Sequence, residues 1–422
     1  GQYSDGSKFS VQRISNPHQS AGQADGLGAG TDRANSYAWS MNQLDDENGH
    51  YIYIGTNRNI LYAALSSMKV GGGDTSFVDA TLDMVTNGEI DTSTKGITLA
   101  NAVIARYNTD TGEMETYLDT ADYNTNYTSP FFCISGFRAS MAFKDSIYFN
   151  ATKTGSSMIL RIDGNDQKVP TVAYSKSGGF MRAMCTSTDG NTMYIGGTDI
   201  NSSDVESGNG SAFSIVVLKS TDGTNFQQIA GYEDFKNYEK EGYFSTVGDV
   251  WDMVEYKGEI FMTLMTLKGA MCFRAHQATA AETADGKANA YGWVWEEFAG
   301  ESESAPYTPG FGNPLNYAAS PYIFNGDLYF ITFSDAMNAE IYGAVGLFAA
   351  LDKDNPNINT YFQYLKRMET EMNNETNVFR YTSDGKMQMV VGDKNMCPAG
   401  IEYVAIKKAG FNADDYSTTQ YN

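Results

Sequence analysis

Histidine and cysteine are scarce in this 422-residue chain: His18, His50 and His276 are the only imidazoles, and Cys133, Cys185, Cys272 and Cys397 the only thiols. No C-x-x-C pair occurs, and the histidines lie far apart in apparent loops or turns, so neither a zinc site nor a dithiol redox centre is expected. We expect no metal and no cofactor. Basic charge is also short, with 29 Lys and Arg against 51 Asp and Glu and a formal net charge of −22. That balance works against nucleic acid or an anionic membrane as partner. No apolar run approaches the roughly 20 residues a membrane helix needs, and Pro is held to 9 residues. No G-x-S-x-G elbow and no Gly-rich phosphate loop between a strand and a helix is present.

What the chain has in quantity is Tyr, Phe and Gly, at 28, 23 and 42 residues. Aromatics and turn formers together suit many short strands joined by tight turns. One unit recurs: "NGHYIYIGT" at Asn48–Thr56, "KDSIYFNAT" at Lys144–Thr152, "DGNTMYIGGT" at Asp189–Thr198, "KGEIFMTLMT" at Lys257–Thr266, "NGDLYFITFS" at Asn325–Ser334 and "DGKMQMVVGD" at Asp384–Asp393. Each reads as a two-residue turn followed by an alternating strand, and most are preceded by another strand, giving an a–b hairpin. A second, c–d hairpin follows in most repeats, as in "ARYNTDTGEMETYL", "LRIDGNDQKVPTVAY", "VLKSTDGTNFQQIAG" and "ALDKDNPNINTYFQYL". The Asp-rich "DKDNPN" and "NTDTGE" segments serve as c–d turns and lack the full ligand spacing of a calcium loop.

Four strands per unit at irregular spacing is the sequence sign of propeller blades. The fold expected is all-β: a single six-bladed propeller over residues 1–422, with seven blades the alternative if residues 66–100 hide one. The blades fall at about 36–119, 134–175, 180–230, 246–298, 315–368 and 375–408, the last completed by a strand at 5–14. That closure rests on a shared spelling, "DGSKF" at Asp5–Phe9 and "DGTNF" at Asp222–Phe226, which makes the N-terminal segment the missing outer strand of the last blade. Tyr53-Ile54-Gly55-Thr56, Tyr194 through Thr198, and Ser220 through Phe226 resemble bacterial β-propeller proteins with Y-[IV]-G-T strands and Asp-box-like S-x-D-G-x-x-[FW] turns. The resemblance is architectural and implies a scaffold, not an activity.

The long connections are d–a loops (119–135, 231–248, 299–315) and b–c loops (57–100, 199–212, 333–346), which share one face, and insertions concentrated there point to a binding face. At the channel mouth Arg138 and Arg182 occupy matching positions in "GFRAS" and "FMRAM", with Trp251 at the same offset and Trp39, Tyr317 and Arg380 as near-equivalents. Guanidinium forks and aromatic faces together suit an anionic or sugar-like ligand. Such residues at strand starts also stitch neighbouring blades, and that alternative stays open. Two function classes stand. One is a propeller binding a glycan, peptide or protein partner; the other is a carbohydrate-active enzyme, sialidase-like hydrolase or lyase, with channel-mouth carboxylates. The start at Gly1 and the Asn/Thr/Tyr/Gly-rich composition fit an extracellular, cell-surface or periplasmic bacterial protein.

Overall fold

The computed structural model describes residues 37–57, 102–123, 126–153, 156–177, 180–200, 213–236, 249–266, 268–334, 366 and 374–404. The N-terminal strand 5–14, the hairpin at 350–365 and most of the long b–c loops lie outside these residues. Within them the chain is a series of antiparallel meanders. The first comprises β1 (Tyr37–Asp46), β2 (Gly49–Asn57), β3 (Val103–Asn108) and β4 (Met114–Asp119). The second comprises β5 (Ile134–Phe143), β6 (Ser146–Lys153), β7 (Ser156–Ile162) and β8 (Thr171–Ser177). A single pairing, Asn57 with Gly136, joins these two into one sheet. The third runs β12-β11-β10-β9, from β9 (Phe180–Thr186) through β10 (Met193–Ile200) and β11 (Phe213–Ser220) to β12 (Gln227–Ala230). The fourth contains β13 (Asp249–Tyr256), β14 (Glu259–Met265), β15 (Met271–Gln277) and β16 (Trp293–Ala299).

The fifth meander corrects the sequence reading. Its order is β17-β18-β19-β20-β21, from β17 (Ala318–Phe324) and β18 (Asp327–Phe333) to β19 (Val378–Tyr381), β20 (Met387–Val391) and β21 (Glu402–Tyr403). The hairpin expected to open a sixth blade is instead hydrogen-bonded to β18, Leu328 facing Tyr381 and Ile331 facing Val378. Glu402–Tyr403, expected within a c strand, adds to β20 in parallel. An internal signature supports the reassignment. The fourth strand of the first, second and third meanders carries an extra residue opposite the third, namely Tyr117, Ala173 and Ile229. Val390 in β20 is the same bulge. The 378–391 hairpin is therefore a c–d hairpin.

By contact the chain divides into two compact units, one of Ile14–Ile260 with Ala275–Trp295, the other of Gly1–Arg13, Phe261–Arg274 and Glu296–Asn422. In the first unit the opening strands of successive meanders lie side by side: β1 against β5, β5 against β9, and β9 against β13. Between the first two meanders the alternating strands bury Tyr53, Ile104, Phe137, Phe149 and Leu160, and between the second and third they bury Met141, Phe143, Tyr148, Met193, Val216 and Leu218. Each large apolar side chain so buried stabilises by roughly 1.5–3 kcal/mol. The extension at 278–292, including helix α2 (Ala280–Ala284; α1 is Tyr232–Phe235), seals the edge of the third meander. Asn289 Nδ2 and Trp295 Nε1 both donate to the carbonyl of the bulged Ile229, at 2.9 and 3.4 Å.

The second unit is held by a ring cluster in which Phe298 meets Phe261, Phe330, Tyr307 and Tyr381 at centroid distances of 5.0–5.9 Å. Beside it, buried Asn316, Asn377 and Thr332 satisfy one another. Thr332 Oγ1 donates to the Asn377 carbonyl (3.0 Å) and accepts the Asn377 N–H (3.0 Å), while Asn316 Nδ2 donates to Asn377 Oδ1 (3.2 Å). In the first unit Thr56 does the same to Val103 at 3.0 and 2.9 Å. The threonine after the Y-I-G spelling thus locks the second strand to the third.

Turns follow from their residues. Lys257-Gly258 and Asn325-Gly326 both hold positive φ, as a two-residue hairpin of type I′ requires. Three turns share a Ser/Thr-x-Asp-Gly spelling: Ser187–Gly190, Ser220–Gly223 and Thr382–Gly385. In each the hydroxyl donates to the aspartate, at 2.6, 3.1 and 2.5 Å. These bonds, from Ser187 and Thr382 respectively, hold Asp189 and Asp384 down to about 2. Carboxyls so depressed stabilise the fold fully above their ordinary value near 4, and the contribution is lost as pH falls through about 2. Asp189→Ala and Asp384→Ala should therefore lower the melting temperature at pH 7, and the gap from the parent protein should narrow at pH 2. A gap independent of pH would contradict this.

Candidate functional site

An opening strand that alternated without interruption would send its side chains to one meander face or the other. Here the opening strands are interrupted in register. In β1, Ala38 pairs with Thr56 and Ser40 with Gly55, leaving Trp39 as an extra residue. In β5, Phe137 pairs with Ala151 and Ser140 with Phe149, so Arg138 and Ala139 face Asn150 alone. In β9, Met181 pairs with Gly197 and Ala183 with Gly196, leaving Arg182. A β-bulge re-aims its side chain out of the alternating pattern. Arg138 and Arg182 thus leave the pleat at corresponding positions of the second and third meanders, and Trp39 does so one residue nearer the strand end in the first, all close to the ends that carry the b–c and d–a connections.

The bulged side chains meet across meanders. The Arg138 guanidinium lies 4.8 Å from the Trp39 ring centre, and that of Arg182 lies 4.1 Å from the ring of Trp251 on β13. Each such pair contributes about 1–2 kcal/mol when partly desolvated. Arg182 is buried, at 5% exposure, whereas Arg138 and both indoles are half-buried. Arg182 therefore ties the third meander to the fourth, and the Arg138–Trp39 pair is the more open to solvent. Ser40 Oγ reinforces the first junction by donating to the Phe137 carbonyl at 2.6 Å.

Two glycines make room for this arrangement. A Cβ on Gly136 would stand 2.7 Å from the Trp39 ring, and one on Gly55 would stand 2.6 Å from Phe137 Cβ. The glycine of the Y-I-G-T spelling is thus a packing requirement of the adjacent opening strand. Close by, Asn57 Oδ1, Asn150 Oδ1, Thr152 Oγ1 and Thr198 Oγ1 are buried with no hydrogen-bond partner. Polar atoms left so are normally met by water or a ligand.

The remaining sequence-derived candidates separate from this group. Tyr317 is buried at 8% exposure, and its carbonyl accepts the Thr266 N–H at 3.1 Å. Arg380 is a correction. It lies on β19, a third strand, and is engaged by Asp327 at 2.5 Å (Nη2) and 2.7 Å (Nε) beside the tight turns. Its "VFRY" segment imitates "GFRAS", but the hairpin it opens is of the c–d kind. His50 pairs with Asp110 at 2.9 Å and His276 with Glu282 at 3.1 Å, each locally, and His18 lies outside the described residues. Among the described residues no three His, Cys, Asp or Glu side chains are grouped to hold a metal ion. No described helix is long and apolar enough to cross a membrane. "NTDTGE" is a turn, with Asn108 Oδ1 accepting the N–H groups of Asp110 and Thr111, while "DKDNPN" lies outside the described residues.

The sequence matches no family model and no curated protein. Among solved structures the chain is similar to one described as a nidogen/laminin complex, at 11% identity over 74% of this chain and 79% of that one, with a TM-score of 0.33. It is also similar to a GH43_1 enzyme from Xanthomonas citri complexed with xylose (10% identity, 70% and 81% coverage, TM-score 0.32). A third is an alpha-L-arabinofuranosidase from Clostridium thermocellum (10% identity, 84% and 93% coverage, TM-score 0.33). Likeness at this level assigns neither fold nor activity.

Gly136→Ala should push the Trp39 ring off Arg138. The fluorescence of this four-tryptophan protein should then shift, by the amount that Trp39→Phe alone removes. An unchanged spectrum would show that the glycine does not set the indole's place.

Proposed function

We propose that the chain is a propeller-type binding module whose ligand, a glycan, sits at the loop-bearing ends of the opening strands, with Arg138 and Trp39 as its principal contacts and Arg182–Trp251 as the adjoining brace. The observation that carries this reading is the pair of matching bulges at Arg138 and Arg182 on successive meanders, with Trp39 bulged one residue nearer the strand end on the first. Of the two bulged guanidiniums, Arg182 is buried in a junction between meanders, whereas Arg138 stays half-buried and keeps donors open to solvent. The side-by-side order of β1, β5, β9 and β13 supports the propeller arrangement. Blade number and closure through the N-terminal strand belong to the same proposal, as does an extracellular, surface or periplasmic location.

Guanidinium over indole offers donors at its edge and a flat face beside them. That combination fits hydroxyl- and carboxylate-bearing rings. Among the described residues the carboxylates shifted from their ordinary values, Asp110, Asp189, Asp222, Glu282 and Asp384, all move down, held chiefly by bonds within turns, a helix cap and local ion pairs, and none of these five suits an acid catalyst. An acid catalyst needs the opposite shift.

The test is retention on a panel of immobilised neutral and acidic glycans, with calorimetry on whichever is retained. Arg138→Ala should weaken binding about tenfold to a hundredfold, the loss of a charge-assisted hydrogen bond, with the melting temperature lowered less than by Arg182→Ala and the fold retained. Arg182→Ala should lower the melting temperature first. No retained glycan, or retention indifferent to Arg138, would overturn the reading. Release of reducing sugar would favour the hydrolase instead.

A further inference from the structure

Beyond the open end of the β5–β6 hairpin, the connection from β4 to β5 presents a second aromatic group. Tyr123 and Phe131 anchor it with ring centroids 5.0 Å apart, Phe131 being buried. From Asn126 to Phe131 the chain is stiffened locally. Asn126 Oδ1 accepts both the N–H and the hydroxyl of Thr128 (3.2 and 2.8 Å), and Ser129 Oγ accepts the Phe131 N–H (3.2 Å). Cys133, immediately before β5, sits at φ 60°, a conformation costly for a side-chain-bearing residue. The result is that Tyr127 stands 69% exposed, its ring steadied by Phe132 at 4.8 Å. Lys153, the last residue of β6 and the pairing partner of Ile134, holds its ammonium 5.8 Å over the Phe132 ring.

We infer that Tyr127, Phe132 and Lys153 form an outer subsite for a sugar ring bearing an acidic group, so that the ligand is a short acidic oligosaccharide reaching from this rim to Arg138. This rests on the glycan reading above and adds the ligand's charge and length. The charge follows from complementarity: each end of the track sets a cation over an aromatic face, Lys153 on Phe132 and Arg138 on Trp39. In a chain of net charge −22, cations placed this way select for an anion locally, since the molecule as a whole does not attract one. The length follows from the strand. With the bulges in β5, Ile134 and Arg138 stand opposite Lys153 and Asn150, three residues or about 10 Å apart along β6, which is longer than one monosaccharide. An extended peptide is the less suitable occupant. It would add to a free sheet edge, but β5 is paired to β6 along its length and meets β2 at Gly136.

Calorimetric titration with tetragalacturonate, galacturonate and neutral galactotetraose tests this. The tetramer should bind at least tenfold more tightly than the monomer and the neutral tetramer. Tyr127→Ala should weaken tetramer binding about tenfold without moving the melting temperature. Lys153→Ala should do likewise for the acidic tetramer only, with Lys153→Arg restoring it. Equal affinity for the neutral tetramer, or indifference to Tyr127→Ala while Arg138→Ala still matters, would overturn the subsite and leave the glycan reading standing. A protein that retains no glycan of either charge would remove both.

Discussion

In the first unit the opening strands lie side by side, β1 against β5, β5 against β9 and β9 against β13, each carrying its main ladder to the second strand of its own meander. Between meanders a single main-chain ladder pairing, Asn57 with Gly136, is supplemented by side chains. Ser40 bonds the Phe137 carbonyl and Thr186 bonds that of Ala142, each at 2.6 Å, and in the second unit Thr263 on the second strand β14 bonds that of Ala319 on β17 at the same distance. To these the first unit adds Arg138 on Trp39 and Arg182 on Trp251. Much else follows from having to join meanders with at most a single ladder pairing between them. Gly55 and Gly136 lack side chains because the neighbouring strand fills that space, and the bulges are where the joining residues leave the pleat.

A division of labour between the two ends of the meanders follows. At the tight-turn ends, carboxylates are used up in structure: Glu255, only 6% exposed, accepts the N–H groups of Thr188 and Gly258, and Asp46 accepts that of Asn165 at 2.6 Å. At the other ends the second strands finish in buried oxygens without protein partners, and the aromatic and cationic groups are half-buried or exposed. The first end is built to hold the turns and the second keeps hydrogen-bonding capacity.

The hairpins were legible because turn chemistry and two-residue alternation are both local. The same locality explains the error at 378–391. An Asp-Gly turn followed by an alternating strand reads alike whether it joins first to second strands or third to fourth, and only pairing with β18 decides. The extra residue at Val390, shared with Tyr117, Ala173 and Ile229, is written in the spacing but means nothing until a register is known. The matching offsets of Arg138 and Arg182 were visible as spelling. Their stacking on Trp39 and Trp251 was not, since those contacts cross from one meander to another. Tyr127 was passed over because an exposed aromatic in a loop has no sequence pattern of its own. Of the three Ser/Thr-x-Asp-Gly turns, only the copy ending in Phe226 resembled a known motif, although all three build the same hydroxyl–carboxylate bond.

Guanidinium–indole pairs built on the bulged residues Arg138 and Arg182 join adjacent meanders. A double-mutant cycle on Arg182 and Trp251, using Arg182→Met and Trp251→Leu and read by denaturant unfolding at pH 7, tests this most directly. We predict a coupling of about 1–2 kcal/mol, with the double variant less destabilised than the sum of the single ones. Additivity within about 0.5 kcal/mol would contradict the claim and reduce the stacking to proximity.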